Sequence, residues 1–367
     1  MTKNNFTWFK PSVEKKNYIN ELKKLINKDK MTMGLSCQKL EKKLKNILKV
    51  KHVILTTSGT SALMMATIAL NVNSKSKVIC TNMTWIATIN PAKIMGSKIL
   101  LIDTEKNSLH VSFSLLNKNI KKYKPDLVYL VHLNGVPTYN KEFESLKKKF
   151  KFSVIEDAAQ CFPVKVNKKS FCGTLHEIGC FSLGISKLIN MVYGGFCVTN
   201  SDKLADKLFS IRNNGVNASP ENAKMEVSSI SGLNLKPSNL HASIGLVNLS
   251  KLNSNVRRVK DINNLYVHSF KDSEHIEILN SKIQKTLPIY ILAIVKNRKN
   301  FINYCKSNNI ELHYNLRTLS ETNLFDSNKN LDNSLFISKN VIRLPSGPGY
   351  KMSDVKKIIN LLKKYKS

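Results

Sequence analysis

Residues 152–160 read FSVIEDAAQ and residues 179–187 read GCFSLGISK, and these two stretches together decide the fold. Each begins with a short apolar run of the length of a buried strand, and polar side chains stand where that run ends. Asp157 ends the first run, whereas Ser182 ends the second and precedes Lys187 by five residues. Because ligands collect at the carboxyl ends of parallel strands, these side chains predict a shared site at one edge of a sheet.

Similar strand-sized runs alternate with helical patterns from residue 52 to about residue 200. The other runs are HVILTT, KVICT, KILLID, DLVYLVHL and GGFCVTN, and SALMMATIAL is typical of a helix. The stretch TWIATINPAKIMG, at 84–96, predicts a helix with a late kink or stop. This alternation predicts an α/β fold, with a mainly parallel sheet flanked by helices.

The segments outside this alternation predict the domain organisation. Residues 13–26 have a helical period, and a second helix is expected after Gly34. Residues 215–235 are small and polar and are interpreted as a long loop, and a long helix or helix pair should follow from 241 to 270. We therefore expect a large domain over residues 1–250, including the N-terminal helical segment, and a smaller C-terminal α/β domain over residues 251–367.

The composition is strongly basic, with 58 Lys and Arg against 25 Asp and Glu and a formal net charge of +33. This charge raises the hypothesis of nucleic-acid binding. Only six of the basic residues are arginine, however, and the lysines are dispersed along the chain. Nucleic-acid sites rely on Arg for bidentate and stacking contacts, so we interpret the charge as a solvated surface and expect no nucleic-acid partner.

The sequence also bears on the compartment. No apolar run approaches the roughly 20 residues that cross a bilayer, and the N-terminus lacks the apolar core of a secretory signal. The seven Cys are scattered without a CxxC pair, which favours reduced thiols over disulfides or a zinc site. We therefore expect a cytoplasmic protein with no membrane partner and no metal.

A further candidate site is TTSGTSALMMA at 56–66, where a strand runs directly into a helix. The amides at a helix N-terminus bind anions, and Thr60 and Ser61 add hydroxyl groups. Gly59 would let the backbone approach a phosphate closely. Taken alone, the motif is more often an ordinary Ser/Thr cap, and the GxxxxGK spacing of a nucleotide P-loop is absent.

Together these features match the requirements of pyridoxal phosphate. A Lys binds this cofactor covalently, hydroxyls and helix amides hold its phosphate, and an Asp holds the pyridinium proton so that the ring withdraws electrons. Lys187, Ser182 and Asp157 supply these residue types, although an Asp at the position of Asp157, taken alone, is more often a helix cap or a solvated acid. Trp85 follows the strand KVICT and is available to cover the ring, whereas core packing is the simpler role for a Trp.

The chain resembles the DegT/DnrJ/EryC1/StrS family of sugar aminotransferases, which have the type I aspartate aminotransferase fold. The resemblance extends from Gly34 to LPSGP at 344–348. It rests on motifs in the order of the family, namely SGTSAL, TNMTWIAT, VHLNGVP, VIEDAAQ, FS followed after four residues by K, and GG-x-x-V-T-N. It implies a pyridoxal phosphate-dependent transaminase.

The resemblance also implies a role for each candidate residue. Lys187 would bind the cofactor and then carry the proton, and Asp157 would pair with the pyridine nitrogen. Gln160 would hydrogen-bond near the ring hydroxyl, and Trp85 would stack on the ring. The phosphate would be held by Thr60, Ser61 and Ser182, and by Asn234 from the neighbouring subunit. This last contact implies a homodimer with shared active sites.

The implied reaction moves an amino group from glutamate, or a similar donor, to a nucleotide-diphosphate keto sugar. Such a reaction belongs to aminosugar or surface-glycan biosynthesis, for example of lipopolysaccharide. Arg212, Lys236, Arg257 or Arg317 could supply positive charge for the diphosphate, and the sequence does not choose among them.

The chain departs from the family pattern in three loops. Val192-Tyr193-Gly194-Gly195 replaces the usual GEGG, Asn214-Gly215 replaces a His-Gly pair, and Leu235-Lys236 replaces an aromatic-Arg pair. A deoxysugar dehydratase is a competing hypothesis, although family dehydratases carry His where Lys187 stands. The sequence is also compatible with a different type I enzyme such as a lyase or desulfurase, with a divergent non-catalytic relative, and with a nucleic-acid-binding protein.

Overall fold

The computed structural model of the chain describes residues 5–27, 31–217, 226–227, 230–279, 286–314, 316–325 and 330–366. The helices are α1 (Lys15–Ile26), α2 (Leu35–Leu48), α3 (Gly59–Ala69), α4 (Asn90–Ile94), α5 (Phe113–Tyr123), α6 (Lys141–Phe150), α7 (Asp202–Arg212), α8 (Asn239–Ser250), α9 (Leu252–Ser269), α10 (Arg298–Ser307), α11 (Asp332–Asn340) and α12 (Met352–Leu362). The strands are β1 (His52–Thr56), β2 (Lys77–Thr81), β3 (Lys98–Ile102), β4 (Leu127–Val131), β5 (Ser153–Asp157), β6 (Ile178–Ser182), β7 (Gly195–Thr199), β8 (Val216–Asn217), β9 (Glu226–Val227), β10 (Ile276–Ile278), β11 (Ile291–Val295) and β12 (Val341–Leu344).

A seven-stranded sheet in the order β1-β7-β6-β5-β4-β2-β3 confirms the predicted α/β architecture. The strands from β6 to β3 pair in parallel, whereas β7 pairs antiparallel to both β6 and β1. The β6–β7 connection, residues 183–194, contains no helix. Parallel pairing needs a crossover that is usually helical, so this connection returns β7 antiparallel.

Helices cover both faces of the sheet, and β5 shows how its side chains divide between them. Val154 packs in a cluster with Ile120 of α5 and Phe143 of α6. The next residue, Ile155, packs in a cluster with Leu63 of α3. Because successive side chains of a strand point to opposite faces, a doubly covered strand must be apolar at nearly every position.

A smaller antiparallel sheet, β10-β11-β12, follows in the C-terminal part. The N-terminal segment joins this part, because Phe6 forms a β-bridge with Ile310 and Phe9 forms one with Ser346. The predicted boundary at residue 250 falls at the junction of α8 and α9, and the expected helix pair is confirmed there. We propose that this junction divides the chain into its two domains, with residues 5–10 packed on the smaller one.

Several sequence expectations meet a more detailed outcome. The expected helix near residue 15 is α1, but none of its residues is buried in the single chain. The stretch at 84–96 forms a 3₁₀ turn at Ile86–Thr88 and then α4. Ten of the 21 residues of the loop predicted at 215–235 lie outside the described residues, and β8 and β9 form a short antiparallel pair within it.

The described part of the chain has neither a membrane-spanning helix nor a cluster of metal-ligand side chains. No helix there is long and apolar enough to cross a membrane. Within the same residues, no group of three or more His, Cys, Asp or Glu side chains could hold a metal ion.

Candidate active site

The carboxyl ends of β4, β5 and β6 open onto a cavity of about 380 Å³. Seven predicted site residues line it, namely Gly59, Thr60, Trp85, Asp157, Gln160, Ser182 and Lys187. Two predicted residues do not line it. These are the half-buried Ser61 and Asn234, which is exposed on the single chain. The fold therefore brings together residues that lie more than 100 positions apart in the sequence.

The N-terminus of α3 forms one wall of the cavity. Ser58 caps the helix, because its Oγ accepts a hydrogen bond from the Ser61 amide at 3.0 Å. The Ser61 hydroxyl lies 2.8 Å from the hydroxyls of both Ser58 and Thr57, so it belongs to the cap. A Cβ on Gly59 would lie 2.9 Å from the Cβ of Ser182. Glycine therefore allows the helix amides and the end of β6 to meet at one anion cradle.

Asp157 ends β5 with a fixed side chain. Its Oδ2 accepts a hydrogen bond from Thr88 Oγ1 at 2.7 Å, and its Oδ1 accepts one from the Ala159 amide at 3.1 Å. The Thr88 hydroxyl in turn lies 2.8 Å from the Thr84 hydroxyl, which serves as its donor. Thr88 stands three residues after Trp85, and sequence reasoning missed its role as a support of the carboxylate.

Asn134 connects the end of β5 to the C-terminal part of the chain. The backbone amide of Asn134 donates to Gln160 Oε1 at 3.0 Å, and this hydrogen bond fixes the Gln160 side chain at the cavity. Its own side chain binds the backbone of Tyr290 twice, through Tyr290 N and O, each at 2.9 Å. Asn134 has φ +46°, a left-handed conformation that Asn tolerates better than most residues.

Tyr290 lies beside Lys187, the lysine of the predicted site. The Tyr290 hydroxyl donates to the carbonyl of Ser186, the residue before Lys187, at 3.1 Å. Burial raises the pKa of Tyr290, but the positive charges of Lys187 and Arg343 outweigh burial and hold this pKa below its usual value. Tyr290 and Lys187 therefore lie together in a cation-rich part of the cavity.

Two aromatic side chains at the cavity are largely exposed in the single chain. Trp85 is 67% exposed and Tyr193 is 70% exposed. Tyr193 belongs to the departure from GEGG, and the preceding Val192 has φ +68°, which is strained for a β-branched residue. Both aromatic residues line the cavity, so the altered loop forms part of the site rather than a remote surface.

Of the four basic residues considered for the diphosphate, Arg317 alone lines the cavity. Arg212 is buried elsewhere, where its guanidinium donates to Glu41 Oε1 and to the carbonyl of Leu55, each at 3.1 Å. Arg212 therefore forms a structural ion pair with Glu41. Lys236 and Arg257 are exposed outside the cavity wall. Arg343, which sequence reasoning did not name, also lines the cavity.

A buried ion-pair network lies directly behind Asp157. Glu156 Oε2 accepts from His132 Nε2 at 2.8 Å, and its two carboxylate oxygens also accept the amides of Gly173, Leu175 and His176. Burial raises the pKa of Glu156, but the hydrogen bonds from the two histidines outweigh burial and place this pKa well below its ordinary value. Glu156 thus anchors residues 173–176 to the strand that carries Asp157.

We expect the stability of the fold to decrease above neutral pH because of His176. Its Nε2 lies 3.0 Å from Glu144 and its Nδ1 lies 3.2 Å from Glu156. Burial lowers the pKa of His176, but the two carboxylates outweigh it and raise this pKa to about 9. A His with a raised pKa stabilises the fold fully below its unfolded pKa of about 6.5, and the contribution disappears as pH rises through about 9.

The expected loss between these pH values is on the order of 3 kcal/mol. Thermal unfolding of the wild type and of His176→Asn, measured from pH 6 to 10, tests this expectation. The variant should show a flatter decrease above pH 6.5, whereas the exposed His268→Asn should follow the wild type. Parallel curves for the wild type and His176→Asn would show that His176 carries no such charge.

Comparison with known proteins identifies the family. The model of the DegT/DnrJ/EryC1/StrS aminotransferase family matches residues 12–363. The chain belongs to this aminotransferase family. It is 28% identical over 340 residues to GDP-perosamine synthase of Vibrio cholerae, a match that covers 90% of this chain and 91% of that relative.

Two further relatives extend this comparison. The aminotransferase is 27% identical over 281 residues to UDP-4-amino-4,6-dideoxy-N-acetyl-beta-L-altrosamine transaminase of Campylobacter jejuni, covering 76% of this chain and 73% of the relative. The solved structure of Helicobacter pylori PseC, an aminotransferase of pseudoaminic acid biosynthesis, superposes with a TM-score of 0.91 at 20% identity. That match covers 98% of this chain and 99% of PseC, and it confirms the fold.

Family membership confirms the predicted enzyme class, a transaminase, and its cofactor, pyridoxal phosphate. The cavity fits this cofactor. Because Gly59 has no Cβ, Ser182 can lie close to the α3 N-terminus, and the two form a cradle for an anion. Asp157 presents a fixed carboxylate at the end of the adjacent strand, β5. A phosphate and a pyridine nitrogen require these two kinds of group.

Proposed function

We propose that this aminotransferase moves an amino group from glutamate, or a similar amino acid, to a nucleotide-diphosphate keto sugar. The observation that carries the proposal is the convergence of Lys187, Asp157 and the α3 N-terminus on one cavity, with the exposed Arg317 also lining it. An exposed guanidinium suits a diphosphate that remains partly solvated. The named activities of the Vibrio and Campylobacter relatives support a nucleotide-linked sugar as the amino acceptor.

Each predicted residue that lines the cavity has a role in this proposal. The amides of α3, Thr60 and Ser182 would hold the cofactor phosphate, Asp157 would bind the pyridine nitrogen, and Trp85 would cover the ring. Ser61 would contribute through the helix cap, because its hydroxyl is held by Ser58 and Thr57. Gln160, whose side chain accepts from the backbone amide of Asn134, would hydrogen-bond near the ring hydroxyl.

The chemistry divides between the cofactor and Lys187. Bound pyridoxal phosphate supplies an electron-withdrawing ring that stabilises negative charge on the substrate carbon. Lys187 Nζ takes the proton from the α-carbon of the amino donor, and in the second half of the reaction it returns a proton to the carbon that carried the sugar keto group. Tyr290, whose hydroxyl donates to the carbonyl of Ser186, holds the backbone next to Lys187 in place.

We also propose that the enzyme acts as a homodimer with shared active sites. Trp85, Tyr193 and Leu233 are large apolar side chains that remain exposed in the single chain, and α1 buries none of its residues. Exposed apolar surface of this kind is typical of protein–protein contacts. A second subunit over this surface would bring its own Asn234 to the cofactor phosphate, because Asn234 does not line the cavity of its own chain.

An assay of the two half-reactions tests the proposed function. L-Glutamate added to the cofactor-loaded protein should yield 2-oxoglutarate in an amount equal to the active sites. Addition of GDP- or UDP-linked keto sugars should then yield a nucleotide amino sugar, detected by mass spectrometry, and the Lys187→Ala protein should yield neither product. If glutamate reacts but no keto sugar in the panel is aminated, the proposed acceptor is wrong.

A further inference from the structure

Arg343 is a half-buried cation for which the described residues offer no counter-ion. It lies on β12, beside Leu292 of β11, and both side chains line the cavity. Its Nε is buried and has no hydrogen-bond partner among the described residues. Burial lowers the pKa of Arg343, and Tyr290 partly offsets this by raising the same pKa. A desolvated guanidinium in this state is costly unless an anion joins it.

The surroundings of Arg343 leave its donors available to a ligand. The guanidinium carbon lies 4.4 Å from the ring centre of Tyr290 and 5.9 Å from that of Trp8. Aromatic rings hold a guanidinium without using its N–H groups. His313 pairs with Arg343 through the backbone and also lines the cavity, and its buried Nδ1 has no partner among the described residues. Two unsatisfied nitrogens therefore stand on the same wall.

We infer that Arg343, with His313 beside it, binds a carboxylate of the amino-acid donor. The inference rests on the proposed function, and it adds the residue that recognises the donor. Arg is suited to this role because its planar fork can bind a carboxylate through two parallel hydrogen bonds. The ring of Tyr290 lies against the Arg343 guanidinium, and its hydroxyl donates to the carbonyl of Ser186, the residue before Lys187, so a carboxylate at Arg343 is held close to the amine that takes the donor proton.

Position within the cavity distinguishes the donor carboxylate from the sugar diphosphate. The carboxylate of an amino acid is bonded to the reacting carbon or lies a few bonds from it, so its partner must lie near Lys187. The diphosphate is separated from the keto carbon by the sugar ring, so its partner lies farther from Lys187. Arg343 is half-buried, with a buried Nε, and lies next to Tyr290, whereas Arg317 is exposed. Arg343 therefore fits the donor and Arg317 fits the diphosphate.

Binding and half-reaction measurements on the cofactor-loaded protein test this inference. Calorimetric titration with glutarate, a dicarboxylate that cannot react, should show a dissociation constant at least about tenfold higher in Arg343→Leu than in the wild type. Arg343→Lys keeps the charge but loses the fork, and it should show about a fivefold increase. The matched control Arg257→Leu removes an exposed arginine outside the cavity and should bind glutarate as the wild type does.

The half-reaction then identifies which carboxylate is bound. Equal losses of rate with L-glutamate and L-alanine in Arg343→Leu assign the α-carboxylate, and a loss with glutamate alone assigns the distal one. The inference is overturned if glutarate affinity and both rates stay unchanged, or if UDP affinity falls instead. If Arg343→Leu fails to fold, the same glutarate titration and half-reaction rates are measured on Arg343→Lys. A wild type that reacts with no amino acid would overturn the proposed function itself.

Discussion

Replacement of Lys187 by alanine is expected to lower the rate of amino transfer by at least about a thousandfold, because one amine supplies both the covalent attachment and the proton transfer. Lys187 lines the cavity, and Tyr290 donates to the carbonyl of the preceding Ser186. Steady-state rates with glutamate and a nucleotide keto sugar measure the loss. Lys168→Ala, a change of the same type at an exposed lysine, is expected to retain full activity. Retention of a tenth of the wild-type rate in Lys187→Ala would contradict the assigned role.

The same variant also tests the shared active site. Asn234→Ala is expected to lose most activity, because the partner subunit then lacks a phosphate ligand. Mixed dimers of Lys187→Ala and Asn234→Ala contain one site with both native residues. Refolding the two variants together should therefore restore activity to about a quarter of the wild-type value. If the mixture stays as inactive as its components, each site is built from a single chain.

Replacement of Asp157 by asparagine is expected to lower the turnover rate by about a hundredfold or more while the cofactor remains bound. Asparagine keeps the size of the side chain but removes the negative charge that holds the pyridinium proton. The hydrogen bond from Thr88 and the one from the Ala159 amide fix this carboxylate at the end of β5. Pre-steady-state absorbance measurements separate the loss of turnover from a loss of cofactor.

Asp202→Asn is the matched control for this prediction. Asp202 is an exposed aspartate whose partners, Lys51 and His52, are on the surface of the fold. Its replacement should leave the turnover rate within about twofold of the wild type, since surface ion pairs contribute little. A turnover rate of Asp157→Asn that matches this control would show that the cofactor does not depend on the carboxylate.

The sequence predicted the parts of the site that are carried by local patterns. Asp157 and Ser182 end apolar runs, and Gly59 starts a helix directly after a strand, so their positions at one sheet edge follow from strand and helix signals alone. Ser61 shows the limit of such reasoning. A hydroxyl at a helix N-terminus can serve a ligand or the cap, and the hydrogen bond to Ser58 decides for the cap.

The remainder of the site depends on contacts between distant parts of the chain. Tyr290 and Arg343 reach the cavity from the small sheet, and no local motif marks either residue. Asn134 joins Tyr290 to Gln160 through three hydrogen bonds that depend on tertiary packing. The net charge does not indicate which basic residues belong to the site. Arg212 forms a buried ion pair with Glu41, whereas Arg343 lines the cavity.

The most direct test of the account is chemical attachment of pyridoxal phosphate to the protein. The cofactor-loaded protein is reduced with borohydride, which fixes the carbon–nitrogen double bond, and is then digested and mapped by mass spectrometry. We predict one stoichiometric attachment of the cofactor, on the peptide that contains Lys187. After pretreatment with glutamate, we predict no attachment at this position. Attachment to another lysine, or no attachment to a protein that has taken up the cofactor, would contradict it.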